Sequence, residues 1–388
     1  MTMRYLLAAL LLTASTTIAA APGSDPIDAI MQAAKETRSS GLVILRNGEV
    51  LAEWLAEPDG EPIETMSVTK SIVALGVARM LTTGELQSLD LPLAEIFPEW
   101  RQGRKAEVTV RHLLNHTSGL QNHPNAGVEI YPSPDVVQLA LAAELDHAPG
   151  KHFAYNNKAT NLIAGLFKPL TGRDMADYIG EELFAPLGID DWRWMRDQSE
   201  NPYGMAGLQL HPRDLARIGQ LVLEQGSVED RQVIDAEVLA DFVRPGSEFS
   251  ETAGLLWWLQ PAWERFIVDE QSLDELQSAG VESGFLERLA AARGSYPSRD
   301  ELHAALASAL GENWHAEARE QLSSHGLAVS RRETSDEIVG YYGDGYLGQH
   351  LVVIPSTGTV GVRMIRHFDG VGPEHSFADF RHRLAELE

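Results

Sequence analysis

Strand-forming sequence in this chain is concentrated at its two ends, and this constrains the fold more than any other feature. Near the start, residues 41–46 and 49–55 are β-rich and flank Asn47-Gly48, the dipeptide favoured where a two-residue turn needs positive φ. Near the end, residues 347–354 and 359–365 flank Pro355-Ser356-Thr357-Gly358 in the same way. Between them, roughly residues 84–245 carry a helical pattern broken by clusters such as Pro132-Ser133-Pro134 and His147-Ala148-Pro149-Gly150. The two ends are expected to meet in one antiparallel sheet. Terminal helices would lie on it, one capped by Ser24-Asp25-Pro26 and running to about Arg38, the other over residues 374–387. The expected fold is therefore α+β, an antiparallel sheet flanked by terminal helices plus a mainly helical lobe.

This pattern divides the chain into a leader at residues 1–21 and a single domain at 22–388. The domain has a sheet lobe (22–66 and 334–388), a helical lobe (67–263) and an insertion (264–333). Met1 to Arg4 form a short basic region, residues 5–13 are apolar, and small residues run through Ala19, Ala20 and Ala21. That is the layout of a secretory signal peptide, and the apolar run is too short to span a bilayer. An exported protein, periplasmic or secreted after cleavage near residues 19–21, is expected. The insertion is acidic and helical in texture. Ser272-Leu273-Asp274-Glu275 and Ser298-Arg299-Asp300-Glu301 both have capping-box spacing, and Leu302, Ala305, Leu306, Ala309 and Leu310 form an apolar stripe. It reads as a packed insertion or as a lid or dimer surface near the site.

Composition narrows the chemistry. The net charge of −25 disfavours nucleic acid and anionic lipid as partners, since both need a clustered positive surface. The absence of cysteine removes thiolate nucleophiles and cysteine-based metal sites, so a nucleophile must be Ser, Thr, Lys or a carboxylate.

Ser67-Val68-Thr69-Lys70 opens a helix expected over residues 67–83, with Ile72, Val73, Gly76, Val77 and Met80 on one face. It places a hydroxyl at the helix start and an amine one turn on, on the same side. A lysine that is neutral part of the time could take the hydroxyl proton, and helix N–H groups could steady an oxyanion. About 0.4 such Ser-Lys pairs are expected by chance, so the spacing alone is weak. Tyr155-Asn156-Asn157 adds a Y-x-N, in which Tyr155 could relay a proton and the Asn157 amide could hold a substrate carbonyl while bonding the lysine.

With S-x-x-K and Y-x-N in this order, the chain resembles the serine β-lactamase and penicillin-binding protein family, in particular its class C-like esterase and amidase branch. Residues 109–120, with Arg111-His112-Leu113-Leu114-Asn115-His116-Thr117-Ser118-Gly119, look like the loop segment between those motifs, and residues 207–217 are similar to the family's later helix entry. The resemblance covers most of the chain after the leader. It implies a two-lobed lactamase-like fold with Ser67 acylated, Lys70 and Tyr155 moving protons, Asn157 positioning, and no cofactor. The family's third motif, K-T-G or H-T-G, is replaced. No lysine follows Lys168, and the best match is Gly343-Asp344-Gly345-Tyr346 entering the strand to Pro355. Gly345 keeps the close backbone approach glycine permits, and the Tyr346 N–H would pair with the Ser67 N–H as the oxyanion hole. The cation of the third motif is missing, and Asp344, if it faces the pocket, would repel a substrate carboxylate.

His112 and His116 have metal-like i, i+4 spacing but no carboxylate between them, which fits a scaffold role and no metal site. Trp257-Trp258 could wall the pocket or serve the core. No G-x-S-x-G elbow occurs, against an α/β-hydrolase. The expected activity is hydrolysis of a small-molecule ester, amide or peptide-like substrate through an acyl-enzyme on Ser67, and the altered third motif points to an ester or amide without a required carboxylate rather than to a β-lactam. The alternatives are a β-lactamase or D-alanyl carboxypeptidase, and a catalytically silent envelope-binding protein on the same fold.

Overall fold

The computed structural model describes residues 25–387 apart from 124, 230, 323–326 and 373–374; the expected leader lies outside the described residues. Asp25 caps α1 (Pro26–Glu36) by accepting from the Ile27 N–H, with proline in the first turn. The helix stops before Arg38, whose φ of 54° is left-handed. Strands β1 (Gly41–Arg46) and β2 (Glu49–Leu55) form the hairpin, and Asn47 and Gly48 take φ of 51° and 83°. Those two positive values are what a type I′ turn requires.

Helix α2 (Val68–Thr83) follows, and twelve of its 16 residues are buried, so it is a core helix and not the one-faced helix expected. Gly76 permits this packing, since a Cβ there would lie 2.8 Å from Ile179 Cγ1. Helices α3 (Asn157–Thr171) and α4 (Pro212–Leu223) belong to the helical lobe. Helix α4 lies on the sheet, where a Cβ at Gly219 would meet Val360 at 2.5 Å.

The chain then forms β3 (Trp258–Pro261), followed by a segment with a small antiparallel sheet of its own: β4 (Glu264–Val268) lies between β5 (Gly294–Tyr296) and β6 (Arg331–Thr334). Helices α5 (Glu270–Ser278), α6 (Ser283–Leu289), α7 (Arg299–Leu310) and α8 (Trp314–Leu322) complete that segment. Strands β7 (Ile338–Gly345), β8 (Gln349–Ile354) and β9 (Thr359–Met364) and the short α9 (Phe380–Ala385) close the chain. The main sheet has six strands in the order β2-β1-β9-β8-β7-β3, all neighbours antiparallel. Gly41 pairs with Met364 and Arg46 with Thr359, so the two ends meet as expected. Both faces of β1 are buried: Val43 and Leu45 face the α2 cluster, while Leu42 and Ile44 pack with Ile30 and Phe380 from the terminal helices.

Four expectations need correction. The helical lobe expected over 67–263 is not free of strands: it holds short ones such as Arg193–Trp194 and Leu208–Leu210, and Trp258–Pro261 forms the main sheet's edge, a four-residue strand ending in proline that carries little pattern. The third-motif residues belong to a strand of their own, Ile338–Gly345, and do not enter the one ending at Ile354. The segment 264–333 is not purely helical, and its first helix is capped by Asp269, not Ser272. Asp269 accepts from the Ser272 N–H while the Ser272 hydroxyl accepts from the Asp269 N–H. The terminal helix is limited to Phe380–Ala385.

The inserted segment carries its own apolar cluster, including Phe266, Leu276, Phe285, Leu289, Leu306 and Trp314. Its Glu264, whose side chain is only 3 % exposed, pairs with Arg332 of the same segment at 2.7 Å and ties the segment to α9 through Arg381 at 2.7 Å. Burial alone would raise the Glu264 carboxyl, but His382, Arg381 and Arg332 together bring it down to about 2.

Candidate active site

Ser67 is the residue before the first turn of α2, with φ −71° and ψ −8°. Its predecessor Met66 has φ 49°, a left-handed value that costs a non-glycine residue energy. His116 (58°), Leu256 (58°) and Leu347 (69°) share this conformation, so with Met66 four of the ten left-handed non-glycine residues among the described residues lie near the site. Ser67 Oγ accepts from Lys70 Nζ at 3.0 Å and from the Tyr155 hydroxyl at 3.0 Å. The three side chains that the S-x-x-K and Y-x-N spacings single out therefore converge on one oxygen.

Lys70 lies inside the core, 3 % exposed, and its second partner is the Met205 carbonyl at 2.7 Å. Burial disfavours its charge and brings the amine down to about 7. The Lys70 amine also sits 4.9 Å from the centre of the Tyr155 ring. Although 37 % of Tyr155 is open to the cleft, its hydroxyl end is enclosed by protein, and burial with some help from Asp344 pushes it up to about 12. Near neutral pH Lys70 is thus partly unprotonated while Tyr155 keeps its proton.

Asn157 is not brought to this amine. It starts α3, while its neighbour Asn156 caps the helix by accepting from the Ala159 N–H and also donates to the Leu120 carbonyl. Asn157 lines a separate depression with Asn122 and His147, and among the described residues the Met205 carbonyl fills the place expected of its amide.

His116 does more than the expected scaffolding. Its ring lies 4.7 Å from that of Tyr155, its Nδ1 accepts from the Asn156 N–H, and burial plus the Lys70 charge hold it down to about 3, a neutral wall behind the tyrosine. His112 serves the backbone, accepting from the Thr109 N–H in a capping box. Trp257 is core, 1 % exposed, whereas Trp258 stacks on Tyr155 at 6.2 Å and walls the pocket.

Across the cleft stands the end of β7. A Cβ at Gly345 would lie 2.7 Å from the Thr65 carbonyl and one at Gly343 2.9 Å from Ser71 Oγ, so both glycines are needed for this strand to pass the nucleophile's helix. Tyr346 follows with its side chain 72 % exposed, and neither its N–H nor that of Ser67 has a protein acceptor among the described residues. The turn carrying Tyr346 is pinned from beneath by the fully buried Arg363, which donates to the Leu347 carbonyl at 2.7 Å and the Gly348 carbonyl at 2.8 Å.

Asp344 faces the cleft but is not a lone charge. His350 Nδ1 stands 3.2 Å from its carboxylate, without the alignment of a hydrogen bond. Burial would raise the Asp344 carboxyl, yet His350, Arg381 and Arg299 outweigh it and hold it below the usual range. The third motif itself carries no cation, but Arg299, Arg332 and Arg381 line the cleft that holds Ser67 and Tyr155. No sequence spacing connects them, because they come from α7, β6 and α9.

A helical lobe that carries hydroxyl and amine on one core helix, closed by the glycine-bearing strand of an antiparallel sheet, is the plan shared by serine β-lactamases and penicillin-binding proteins. The chain belongs to the beta-lactamase family, whose model matches residues 27–385. It is 31% identical over 206 residues to Esterase EstB of Burkholderia gladioli, covering 45% of this chain and 52% of that one. It is 30% identical over 159 residues to a D-aminopeptidase of Brucella canis, covering 39% and 30% respectively. The matches thus span about half the length of these relatives or less. A penicillin-binding protein from Bacillus halodurans shares the fold, with a TM-score of 0.57 and 14% identity over 88% of this chain and 95% of that one.

Proposed function

We propose that this protein is an exported serine hydrolase that cleaves an ester or amide through an acyl-enzyme on Ser67. One observation carries the reading: a buried amine brought down to about 7 lies 3.0 Å from a hydroxyl at a helix start. Neutral Lys70 takes the Ser67 proton as Oγ attacks the carbonyl, and the Ser67 and Tyr346 N–H groups stabilise the oxyanion. As the bond to the leaving group breaks, the ammonium proton passes through the Tyr155 hydroxyl to the leaving atom. Water then repeats the sequence, giving its proton to Lys70 and its oxygen to the acyl carbon, and Ser67 leaves with a proton restored. Relatives with esterase and D-aminopeptidase names support both bond types. Export rests on the Met1–Ala21 pattern in the sequence.

Intact-mass spectrometry after exposure to a panel of esters, amides and β-lactams tests the reading. It expects an acyl adduct on wild type and none on Ser67→Ala. Equal cleavage of p-nitrophenyl esters by the two proteins, or a fluorophosphonate probe labelling another residue, would sink it. An adduct formed only with penicillin would move the assignment to the β-lactamase or carboxypeptidase reading. An intact fold with no adduct from any probe would leave the silent binding protein.

A further inference from the structure

Ser67 borders two spaces of very different size. The one behind it, walled by Lys70, His116, Leu256 and Trp258, measures about 10 Å³, room for a single water. The cleft in front, bordered by Tyr155, Asp344 and Tyr346, measures about 610 Å³. A substrate's bulk on this side of the scissile bond must therefore lie in the larger cleft.

That cleft runs against the charge of the chain, which is −25 overall. Arg299, Arg332 and Arg381 line it, and only Arg332 and Arg381 are neutralised, sharing the buried Glu264. Arg381 still has a buried Nη1 without an acceptor. Arg299 is exposed and has no carboxylate within ion-pair distance among the described side chains; its guanidinium lies 5.5 Å over the Phe266 ring. Asp344, the acid of the same cleft, faces His350 at 3.2 Å and feels the Arg299 charge without forming an ion pair with it. One guanidinium without a carboxylate partner among the described side chains thus lines the space a substrate must fill, and such a fork matches a planar oxyacid better than an ammonium would.

Resting on the acyl-enzyme reading above, we propose that the cleft selects esters or amides bearing a carboxylate, and that Arg299, delivered by the inserted segment, is the specificity-determining residue. The segment is then part of the binding site. It reinstates from a different part of the chain the positive charge that the third motif lacks.

The test compares matched neutral and anionic substrates: p-nitrophenyl butyrate against the mono-p-nitrophenyl ester of glutaric acid, and phenyl acetate against 4-carboxyphenyl acetate. Wild type is expected to favour the anionic member of at least one pair by about tenfold in kcat/KM, the scale of a partly exposed charge-assisted contact. Arg299→Ala should bring that ratio close to one, Arg299→Lys should retain part of it, and 0.5 M salt should shrink it. Arg288→Ala, an exposed arginine of the same segment paired with Glu317, should leave it unchanged. Binding of phenylboronic acid and its 3-carboxy derivative, which need no turnover, should show the same ratio. Equal or inverted preference in wild type, or a preference that survives Arg299→Ala, overturns the proposal. Full activity of Ser67→Ala on the neutral esters would instead overturn the acyl-enzyme reading, and this inference with it.

Discussion

The two walls of the cleft are built in opposite ways. One wall is α2, buried almost all round in the main core, and that burial brings its Lys70 amine down to about 7. The other wall comes from the segment 264–333, which packs around its own cluster and is tied to α9 by the Glu264–Arg381 pair. Chemistry that depends on a shifted pKa needs a close-packed, water-poor setting, and any change there disturbs many neighbours. Recognition by an exposed guanidinium needs only to be held at the right place. The division implies that reaction and selectivity can be altered separately, and that implication can be attacked from either wall.

The largest effect should come from the buried wall. Lys70→Ala removes the proposed base and should lower kcat/KM on p-nitrophenyl esters by about 10³-fold, within the range for general base catalysis. A loss below tenfold would mean that another group takes the proton. The next comes from the other wall. Glu264→Ala leaves Arg332 and Arg381 as unpaired, partly buried charges and should cost about 3 kcal/mol of stability in urea unfolding. An unchanged midpoint would show that the apolar packing of the segment holds it without the ion pairs. Tyr155→Phe keeps the ring stacked between His116 and Trp258 but removes the hydroxyl, and should lower kcat by about 100-fold. A tenfold smaller loss would reduce Tyr155 to a hydrogen bond that positions Ser67.

The same contrast explains what could be read from the sequence. The proposed nucleophile and base lie on one helical turn, so their spacing survives in the chain, and the Asn47-Gly48 turn fixes the first hairpin's register as far as the irregularity between Ile44 and Leu45. The ends were paired correctly because both carry strand pattern. Contacts that distant segments make through backbone carbonyls or isolated side chains leave no such pattern. Lys70's second partner is a backbone carbonyl at Met205, which leaves no side-chain signature, so the nearby Asn157 was assigned a place it does not hold. Arg363 supports the turn carrying Tyr346 from within a strand whose pattern reads only as buried. The three arginines of the cleft lie on separate elements, and without the fold the chain seemed to lack a cation at its third motif. His116 was legible as a histidine but not as a wall of the site, because its position depends on a left-handed backbone.

The smallest predicted effect, about one decade of rate per pH unit, separates the walls most cleanly. On a neutral ester, kcat/KM should rise with pH below a midpoint of about 7 and level off above it, because only the unprotonated Lys70 can accept the Ser67 proton. Tyr155, pushed up to about 12, should add no alkaline limb in the usual assay range, and Tyr155→Phe should lower the plateau without moving the midpoint. Stability follows the same groups with its own signs. The lysine's ordinary value is 10.5, so between about 7 and 10.5 the unfolded chain binds more protons than the fold, and stability contributed at Lys70 rises with pH. Glu264 acts in an acid window: its contribution is present above 4.5 and is lost as pH falls toward 2. Activity should therefore fade near pH 6 in a protein that is still folded. A single midpoint shared by activity and unfolding would show that the limb reports loss of structure, and would remove the separation between the two walls.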